Sequence, residues 1–347
     1  MKLNAVNTYS VRYEVLRGNA VFTEIYAMDN SCEVQFIESS ELKTSFRGVF
    51  FEYSPSINFL TDRLRPVVTI NDTEYPVGVY VITTEPEQHY EGMTIRHIEG
   101  YSLLYLAKQK KIEERVSISA GSSYMTEILR LLNSCGLTDI EAEENLLTFA
   151  TAREDWEIGT PILNIVNELL REINYNEAWV DLDGVVRLTA YRKPTLDNIQ
   201  HNYSEGEYST IESTFTKSTD RYAKSNVFRV MCNSPDLDEP MIAISENNAE
   251  NSPFSTFNIG RVLYTERIDN IPSQSALQAY ADRLRDKSLQ ENEDVEFYTA
   301  PVPEHNAFDT IAVATGELAG IYTETEWRLQ LAPGASMYHK ARRVYAE

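Results

Sequence analysis

Acidic residues around a glycine at 181–184 raise the first chemical question, whether this chain binds calcium. Residues 178–191 read AWVDLDGVVRLTAY, so Asp181 and Asp183 place oxygen donors at alternating positions. A calcium-binding EF-hand loop also needs glycine at its sixth position and glutamate at its twelfth. Counted from Asp181, Gly184 is fourth and Arg192 is twelfth. The spacing therefore argues against a calcium site.

The same residues fit the turn of a β-hairpin. Strand-like runs lie on both sides, at 179–180 and 185–188, and Asp183-Gly184 is a preferred pair for a type I′ turn. Glycine adopts the positive φ angles of such a turn at little cost. The sequence therefore predicts a hairpin around residues 180–188.

Histidines and carboxylates are the other side chains that could do chemistry. The spacing i, i+2 or i, i+4, which would place two imidazoles on one local face, is absent among the five histidines His89, His97, His201, His305 and His339. The segment holding Glu304, His305 and Asp309 could be catalytic, but a solvated loop is the favoured interpretation. We therefore predict no catalytic, cofactor-binding or metal-binding residues and no cofactor.

Known catalytic motifs do not add an activity. The sequence contains no P-loop, GxGxxG, GxSxG or HExxH motif. Its many carboxylates leave a glycosidase pair open, yet no single pair stands out. Only Trp156, Trp179 and Trp327 are available for a sugar-binding face. The prediction is that the protein is not an enzyme; a cell-wall hydrolase or a carbohydrate-binding protein is the alternative.

Composition limits the partners. The chain has 347 residues, 42% of them hydrophobic, and a formal charge of −22 from 53 acidic and 31 basic residues. This length allows two to four domains, and this charge disfavours stable nucleic-acid binding. Three scattered cysteines indicate synthesis in a reducing cytoplasm. Neither a membrane-spanning run nor a signal peptide is expected from the sequence.

The elements that must position these residues change along the chain. Residues 1–106 contain short alternating runs with turns between them, which indicates a β-barrel or sandwich. Residues 107–206 contain two amphipathic helices, at 123–134 and 161–173, followed by the hairpin. The first helix has Ser122 or Ser123 as its cap, and the second has Thr160 as N-cap before Pro161. The remainder is mixed, with a helix at 273–287 that begins after Ser273.

Three stretches together resemble the hub proteins of phage tail tips and baseplates, a family also found in contractile injection systems. FLTDRLRP at 59–66, followed by YPVGVY at 75–80, is similar to the family's WLNDRIRP and YPLGVF runs. EGYSLLYL at 99–106 is similar to its GYDLLYLL run, and AWVDLDG at 178–184 resembles a WVDxDG unit that follows a helix. Asn176 departs from the apolar or glycine-containing entry of that unit.

The resemblance implies an α+β, β-rich fold with two tube-like β-barrel domains. By analogy, the first barrel is residues 1–106, and the second combines 207–233 with 296–347. An α+β domain then occupies 107–206, and an inserted subdomain occupies 234–295. Such hubs form homotrimers in which six barrels make a pseudo-sixfold ring.

The resemblance also implies partners and a location. The ring joins the hexameric tail tube or distal tail ring to a trimeric spike, fibre or lysin, near the tape-measure protein. DNA passes through its lumen, where acidic side chains would repel phosphates. The expected location is the tail tip or baseplate of a virion, after synthesis in the host cytoplasm. Because the chain ends at Glu347, the spike or receptor reader is expected to be a separate protein.

Overall fold

The structure is a computed structural model that describes residues 8–90, 92–205, 210–220, 222, 224–232, 240–290, 293–316 and 318–345. The predicted boundaries at 206–207 and 233–234 lie outside these residues. The amino-terminal part contains nine strands: β1 (Tyr9–Arg17), β2 (Ala20–Ile25), β3 (Glu33–Ile37), β4 (Thr44–Phe51), β5 (Arg63–Ile70), β6 (Thr73–Pro76), β7 (Tyr80–Thr84), β8 (Glu87–Tyr90) and β9 (Met93–Ser102).

The rest of the chain alternates helical and β segments. The middle part contains α1 (Tyr105–Gln109), α2 (Tyr124–Ser134), β10 (Ile140–Ala142), α3 (Ile162–Glu172), β11 (Trp179–Val180), β12 (Val186–Leu188) and a 3₁₀ turn at Leu196–Asn198. The last part contains β13 (His201–Ser204), β14 (Ile211–Thr219), β15 (Val227–Cys232), β16 (Met241–Glu246), α4 (Thr256–Ile259), β17 (Leu263–Ile268), α5 (Gln274–Ser288), β18 (Glu293–Thr299), β19 (Thr310–Ala314), β20 (Ala319–Gln330) and β21 (Met337–Val344).

The amino-terminal strands form a ring. Their order is β4-β9-β7-β5-β1-β2. After β2 the chain returns to β4, where Met28 N donates to Val49 O at 2.7 Å and Phe51 N donates to Tyr26 O at 2.9 Å. These bonds satisfy backbone groups that an open sheet edge would leave unpaired.

The carboxy-terminal strands continue the same sheet. Their path is β14-β18-β21-β20, and β19 with its partner β13 pairs along the first half of β20. The second half of β20 pairs with β3, from Glu326 opposite Ile37 to Gln330 opposite Glu33. Fifteen of the described strands thereby make one sheet that joins the two halves. The β-rich α+β class expected from the sequence is confirmed.

The residues between the two halves have their own core. In α3, the aliphatic side chains of Ile165, Val166, Leu169 and Leu170 are fully buried because they recur at helical spacing. They pack with α2 and with the small sheet β10-β12-β11. A third core lies where α5 covers one face of the sheet β16-β15-β17.

Helix starts follow the sequence signals in two of three cases. Ser123 accepts a hydrogen bond from Thr126 N, and Ser273 accepts one from Ala276 N. The prediction of Thr160 as the N-cap of α3 is wrong, since Pro161 occupies that position. The Thr160 hydroxyl instead donates to Glu157 O at 2.7 Å, which ties down the loop before the helix.

The hairpin between β11 and β12 has a different turn from the predicted type I′. Gly184 N donates to Asp181 O at 3.1 Å, and Asp181 N donates to Val185 O at 3.0 Å. Gly184 has a φ of 92°, whereas Asp183 is not among the residues with positive φ. This is a type I turn followed by a left-handed glycine, the three-residue hairpin loop. The carboxylate of Asp181 accepts from Val185 N and from the Arg187 guanidinium, so it organises the turn.

Replacing Gly184 by valine should destabilise the protein by about 2 kcal/mol or more. The left-handed backbone is strained for a side chain, and an added Cβ would lie 2.8 Å from Val79 Cγ2. Thermal unfolding measures the effect. Gly136→Ala is the matched control, because Gly136 has a φ of 82° with open space around it, and it should cost about 1 kcal/mol. An equal loss of stability in the two variants would show that a side chain at position 184 does not clash with Val79.

Candidate functional site

The segment at 304–309 leads into the most unusual polar cluster of the described structure. Glu304 is exposed, as expected for a solvated loop, but His305 is 1% exposed and Asp309 is 7% exposed. The solvated-loop interpretation is therefore wrong for these two residues. Their side chains turn into the core of the carboxy-terminal half, where a buried carboxylate and further imidazoles meet them.

Four separated elements supply this buried histidine cluster. It comprises His201 on β13, His305 and Asp309 before β19, Glu324 on β20 and His339 on β21. The pairing β13-β19-β20-β21 places these strands side by side. The sequence analysis missed the cluster because it looked for histidines at short spacing, whereas strand pairing joins residues far apart in the chain.

Glu324 is the centre of the cluster. Its side chain is fully buried, and its two carboxylate oxygens face different imidazoles. His305 Nδ1 lies 2.6 Å from Oε2, and His339 Nδ1 lies 2.6 Å from Oε1. Such short distances are typical of charge-assisted hydrogen bonds, so one carboxylate fixes both rings.

The outer ring nitrogens are also partnered. His305 Nε2 lies 2.5 Å from the Tyr203 hydroxyl, and His339 Nε2 lies 2.8 Å from the Thr299 hydroxyl. His201 stacks on His305 with ring centroids 3.8 Å apart. Asp309 Oδ2 lies 3.1 Å from His201 Nε2. Buried polar groups are costly without partners, and this arrangement supplies one to each imidazole.

The charges in the cluster follow from burial and from these contacts. Burial alone would raise the pKa of Glu324, but the charge of His305 and the two imidazole hydrogen bonds lower it to about 2. Burial works against a proton on His305, yet the attraction of Glu324 raises its pKa. Burial lowers the pKa of His339, and Glu324 offsets this only in part. We infer an ionised Glu324, a protonated His305 and a neutral His339.

The donor atoms also form two overlapping triads of metal-ligating type. They are His201, His305 and Asp309, and His305, Glu324 and His339, with the ligand atoms of each triad within 4.8 Å of one another. Ligands of a tetrahedral zinc ion lie about 3.3 Å apart, given bond lengths near 2.0 Å. The two contacts of Glu324 with the imidazole nitrogens are 2.6 Å long, which is too short for two ligands of one zinc ion and fits a hydrogen bond. The geometry therefore fits a hydrogen-bonded ion pair that holds strands together.

Exposed apolar side chains mark a second kind of candidate site. On the sheet β16-β15-β17, the face away from α5 carries Ile242, Ile244 and Leu263, which are 40%, 49% and 59% exposed. Phe257 on the neighbouring α4 is 71% exposed. Exposed apolar side chains grouped on one element are common at protein contacts. The sequence analysis did not single out these residues.

Solved structures resemble the whole chain. The tail protein from Neisseria meningitidis MC58 superimposes with a TM-score of 0.68 and 12% identity, over 96% of each chain. The chain has the fold of phage tail proteins. The 43 kDa tail protein of prophage MuSo2 from Shewanella oneidensis shares this tail-protein fold with a TM-score of 0.65 and 10% identity, over 95% of this chain and 98% of its own.

The tail-protein fold extends to a secretion system. The c3393 protein of E. coli, a type VI secretion component that is structurally similar to T4 tail proteins gp27 and gp5, has a TM-score of 0.56 and 10% identity. The match covers 98% of this chain and 77% of that protein. No family model matches the sequence, and no curated protein matches it. Among the described residues, no helix is both long and apolar enough to cross a membrane.

Proposed function

We propose that this protein is a structural hub of a phage tail tip or baseplate, assembled as a homotrimeric ring. The observation that carries the proposal is the match to the Neisseria meningitidis tail protein over 96% of both chains, together with the match to a prophage tail protein. Two β units in each subunit, one of nine strands and one of six, are joined through β3 and β20 and would give six units in a trimer. Six units match the symmetry of a hexameric tail tube.

The domain division deduced from the resemblance is part of this proposal. Residues 1–106 would be the first tube-like unit, and 207–233 with 296–347 the second. Residues 107–206 and 234–295 would decorate the outside of the ring. An apolar core formed mainly by residues of 107–206 supports the α+β domain. The core of the inserted region also includes Val230 and Cys232 of β15, which the division assigns to the second unit.

The partners follow from the ring. One face would meet the tail tube or distal tail protein, and the other would meet a spike, fibre, lysin or tape-measure protein. Exposed apolar side chains of the outer region, such as Ile244 and Phe257, would add contacts to a neighbouring tail protein, since permanent assemblies bury apolar surface. A charge of −22 would let DNA pass the lumen without adhering. The protein would then reside in the virion, after synthesis in the host cytoplasm.

A non-enzymatic role agrees best with the side chains. The carboxylate of Glu324 is fully buried and hydrogen-bonded, so it cannot reach a polysaccharide. Asp309 is 7% exposed and is held by His201 and by Asn306 N.

The carbohydrate-binding alternative expects tryptophan on an open face. Trp156 and Trp327 are 7% and 2% exposed, and Trp179 is half-buried beside Phe308. The structural hub therefore remains the better proposal.

Mass in solution tests the ring. Light scattering should give three times 39.7 kDa, and electron microscopy of that species should show a central channel. If the protein alone is monomeric, the measurement is repeated with the neighbouring tail-tube protein added. A monomer under both conditions would refute the trimeric hub.

A further inference from the structure

A cleft of about 610 Å³ lies where the separate parts of the chain meet. Its walls come from the loop after β3, the segments flanking β11 and β12, the end of α5, and the strands β19 to β21. This volume is in the range of small-molecule sites. Two residues that the sequence analysis weighed, Trp179 as a sugar-binding and Asp309 as a catalytic candidate, line it.

The cleft is basic although the protein is strongly acidic. Its charged lining consists of five cations and three carboxylates: Lys43, Arg192, Arg283, Lys287 and Arg342, with Glu38, Glu177 and Asp309. Since acidic residues outnumber basic ones by 53 to 31 in the chain, a cleft with the opposite balance is unexpected from composition.

Local ion pairs account for only some of these cations. Lys43 pairs with Glu177, Arg342 lies 3.8 Å from Glu38, and Arg192 lies 2.9 Å from Glu143 outside the cleft. Asp309 is engaged by His201. The carboxylates of the cleft are therefore already committed to other groups.

Arg283 and Lys287 have no carboxylate within ion-pair distance among the described residues. Glu38 and Glu177 act on them only from farther away. They lie four residues apart on α5, on one face of the helix. Arg283 donates Nη1 to Tyr175 O at 2.6 Å and stacks 4.7 Å from the Tyr191 ring. Those contacts orient the guanidinium and leave other N–H groups free, while Lys287 makes neither a hydrogen bond nor an ion pair with any described group.

The surroundings of both cations favour a bound negative charge. Burial lowers the pKa of Arg283 and of Lys287, and the charge of Arg283 lowers the pKa of Lys287 further. The charges of Glu38 and Glu177 offset these shifts only in part. The end of α5 supplies a partial negative charge, but this is small beside two unpaired cations. An anion placed between them would relieve their repulsion.

We propose that the cleft binds a compact oxyanion with two or more negative charges, held by Arg283 and Lys287. The planar fork of a guanidinium matches the paired oxygens of phosphate and carboxylate groups, and the ammonium adds a point charge. Because the cleft is lined by all parts of the chain, the anion would bind them together. A cleft of this size admits phosphate esters and polycarboxylates.

Thermal unfolding and calorimetric titration test the site on the full chain. Inorganic pyrophosphate and citrate serve as the probes, with sodium chloride at matched ionic strength as the reference. The wild-type midpoint should rise with at least one probe, and the measured affinity should fall about tenfold or more in Lys287→Gln and in Arg283→Gln. A response to pyrophosphate alone assigns phosphate chemistry, and a response to citrate alone assigns carboxylate chemistry.

The control is Lys108→Gln, whose partner is Glu41 at 2.7 Å and whose side chain is 43% exposed. It should leave the response to both probes unchanged. In chloride alone, Lys287→Gln should unfold no lower than the wild type, because it removes a repelled charge. Lys287 is exposed to solvent at the mouth of the cleft, so this variant is expected to fold. Absence of any response in the wild type, or an equal response in the wild type and Lys287→Gln, would overturn the proposal.

Discussion

Glu324→Gln will destabilise the protein by about 3–5 kcal/mol at pH 6, since it removes the charged partner of a buried ion pair. The side chain is fully buried and accepts hydrogen bonds from His305 and His339. Glutamine has a similar shape, but its amide nitrogen is a donor that would face an imidazole N–H. Chemical denaturation followed by circular dichroism measures the free energy of unfolding.

The control for this variant is Glu296→Gln on the neighbouring strand β18. Glu296 has a 41% exposed side chain and lies 3.4 Å from Lys340. Surface pairs of this kind contribute about 0–1 kcal/mol. If both variants lose the same stability, Glu324 is not the centre of a buried ion pair.

The effect of Glu324→Gln should also depend on pH. Glu324 has a folded pKa of about 2, below its ordinary 4.5, so its contribution is complete above pH 4.5 and is lost as pH falls towards 2. The raised pKa of His305 acts in the other direction, since its contribution is complete below 6.5 and is lost as pH rises through the folded pKa. The difference in the free energy of unfolding between the wild type and the variant should therefore be largest between pH 4.5 and 6.5. A difference that does not change with pH would contradict the assigned charges.

Arg153→Met is the second substitution with a large expected effect. Arg153 is 2% exposed, and its Nη1 lies 2.8 and 2.9 Å from the two oxygens of Glu172, which is 4% exposed. Its Nη2 lies 2.8 Å from Glu168, so one guanidinium ties the segment before Trp156 to helix α3. Methionine fills part of the space but leaves Glu172 buried beside only the Tyr124 hydroxyl. We expect a loss of about 3–5 kcal/mol in the free energy of unfolding.

Acidification should partly rescue Arg153→Met. Burial raises the pKa of Glu172 to about 7 even though Arg153 opposes this shift, and removal of Arg153 raises it further. When a carboxyl has a higher pKa in the folded than in the unfolded protein, the protein loses stability as the pH rises above the unfolded-state pKa, here 4.5. The stability that Arg153→Met loses relative to the wild type should therefore decrease as pH falls towards 4.5.

Two further variants make the Arg153 result specific. Adding Glu172→Gln to Arg153→Met should recover part of the loss, because no buried charge then remains. Arg115→Met is the surface control, since Arg115 has a 69% exposed side chain and lies 3.6 Å from Glu154; about 0–1 kcal/mol is expected. A double variant as unstable as the sum of the two single changes would contradict a direct Arg153–Glu172 pair.

The local elements were largely determined by the sequence itself. The aliphatic stripe of α3 and the serine before α5 depend on residues three or four positions apart. Spacing along the chain is therefore enough to predict these two helices. The hairpin also follows from neighbouring residues. Its turn type was missed because Asp181 caps the loop through its carboxylate, an interaction that the Asp-Gly pair alone does not reveal.

Tertiary structure alone decided the strand pairing and the two polar sites. β3 pairs with β20 almost three hundred residues away, as in the Gln35–Glu326 hydrogen bond with a separation of 291. The pairing of β13, β19, β20 and β21 brings His201, Glu324 and His339 together. The meeting of several parts of the chain leaves Arg283 and Lys287 in one cleft. Helical spacing and turn chemistry are short-range properties, whereas these contacts depend on which strands lie side by side, and no local pattern encodes that choice.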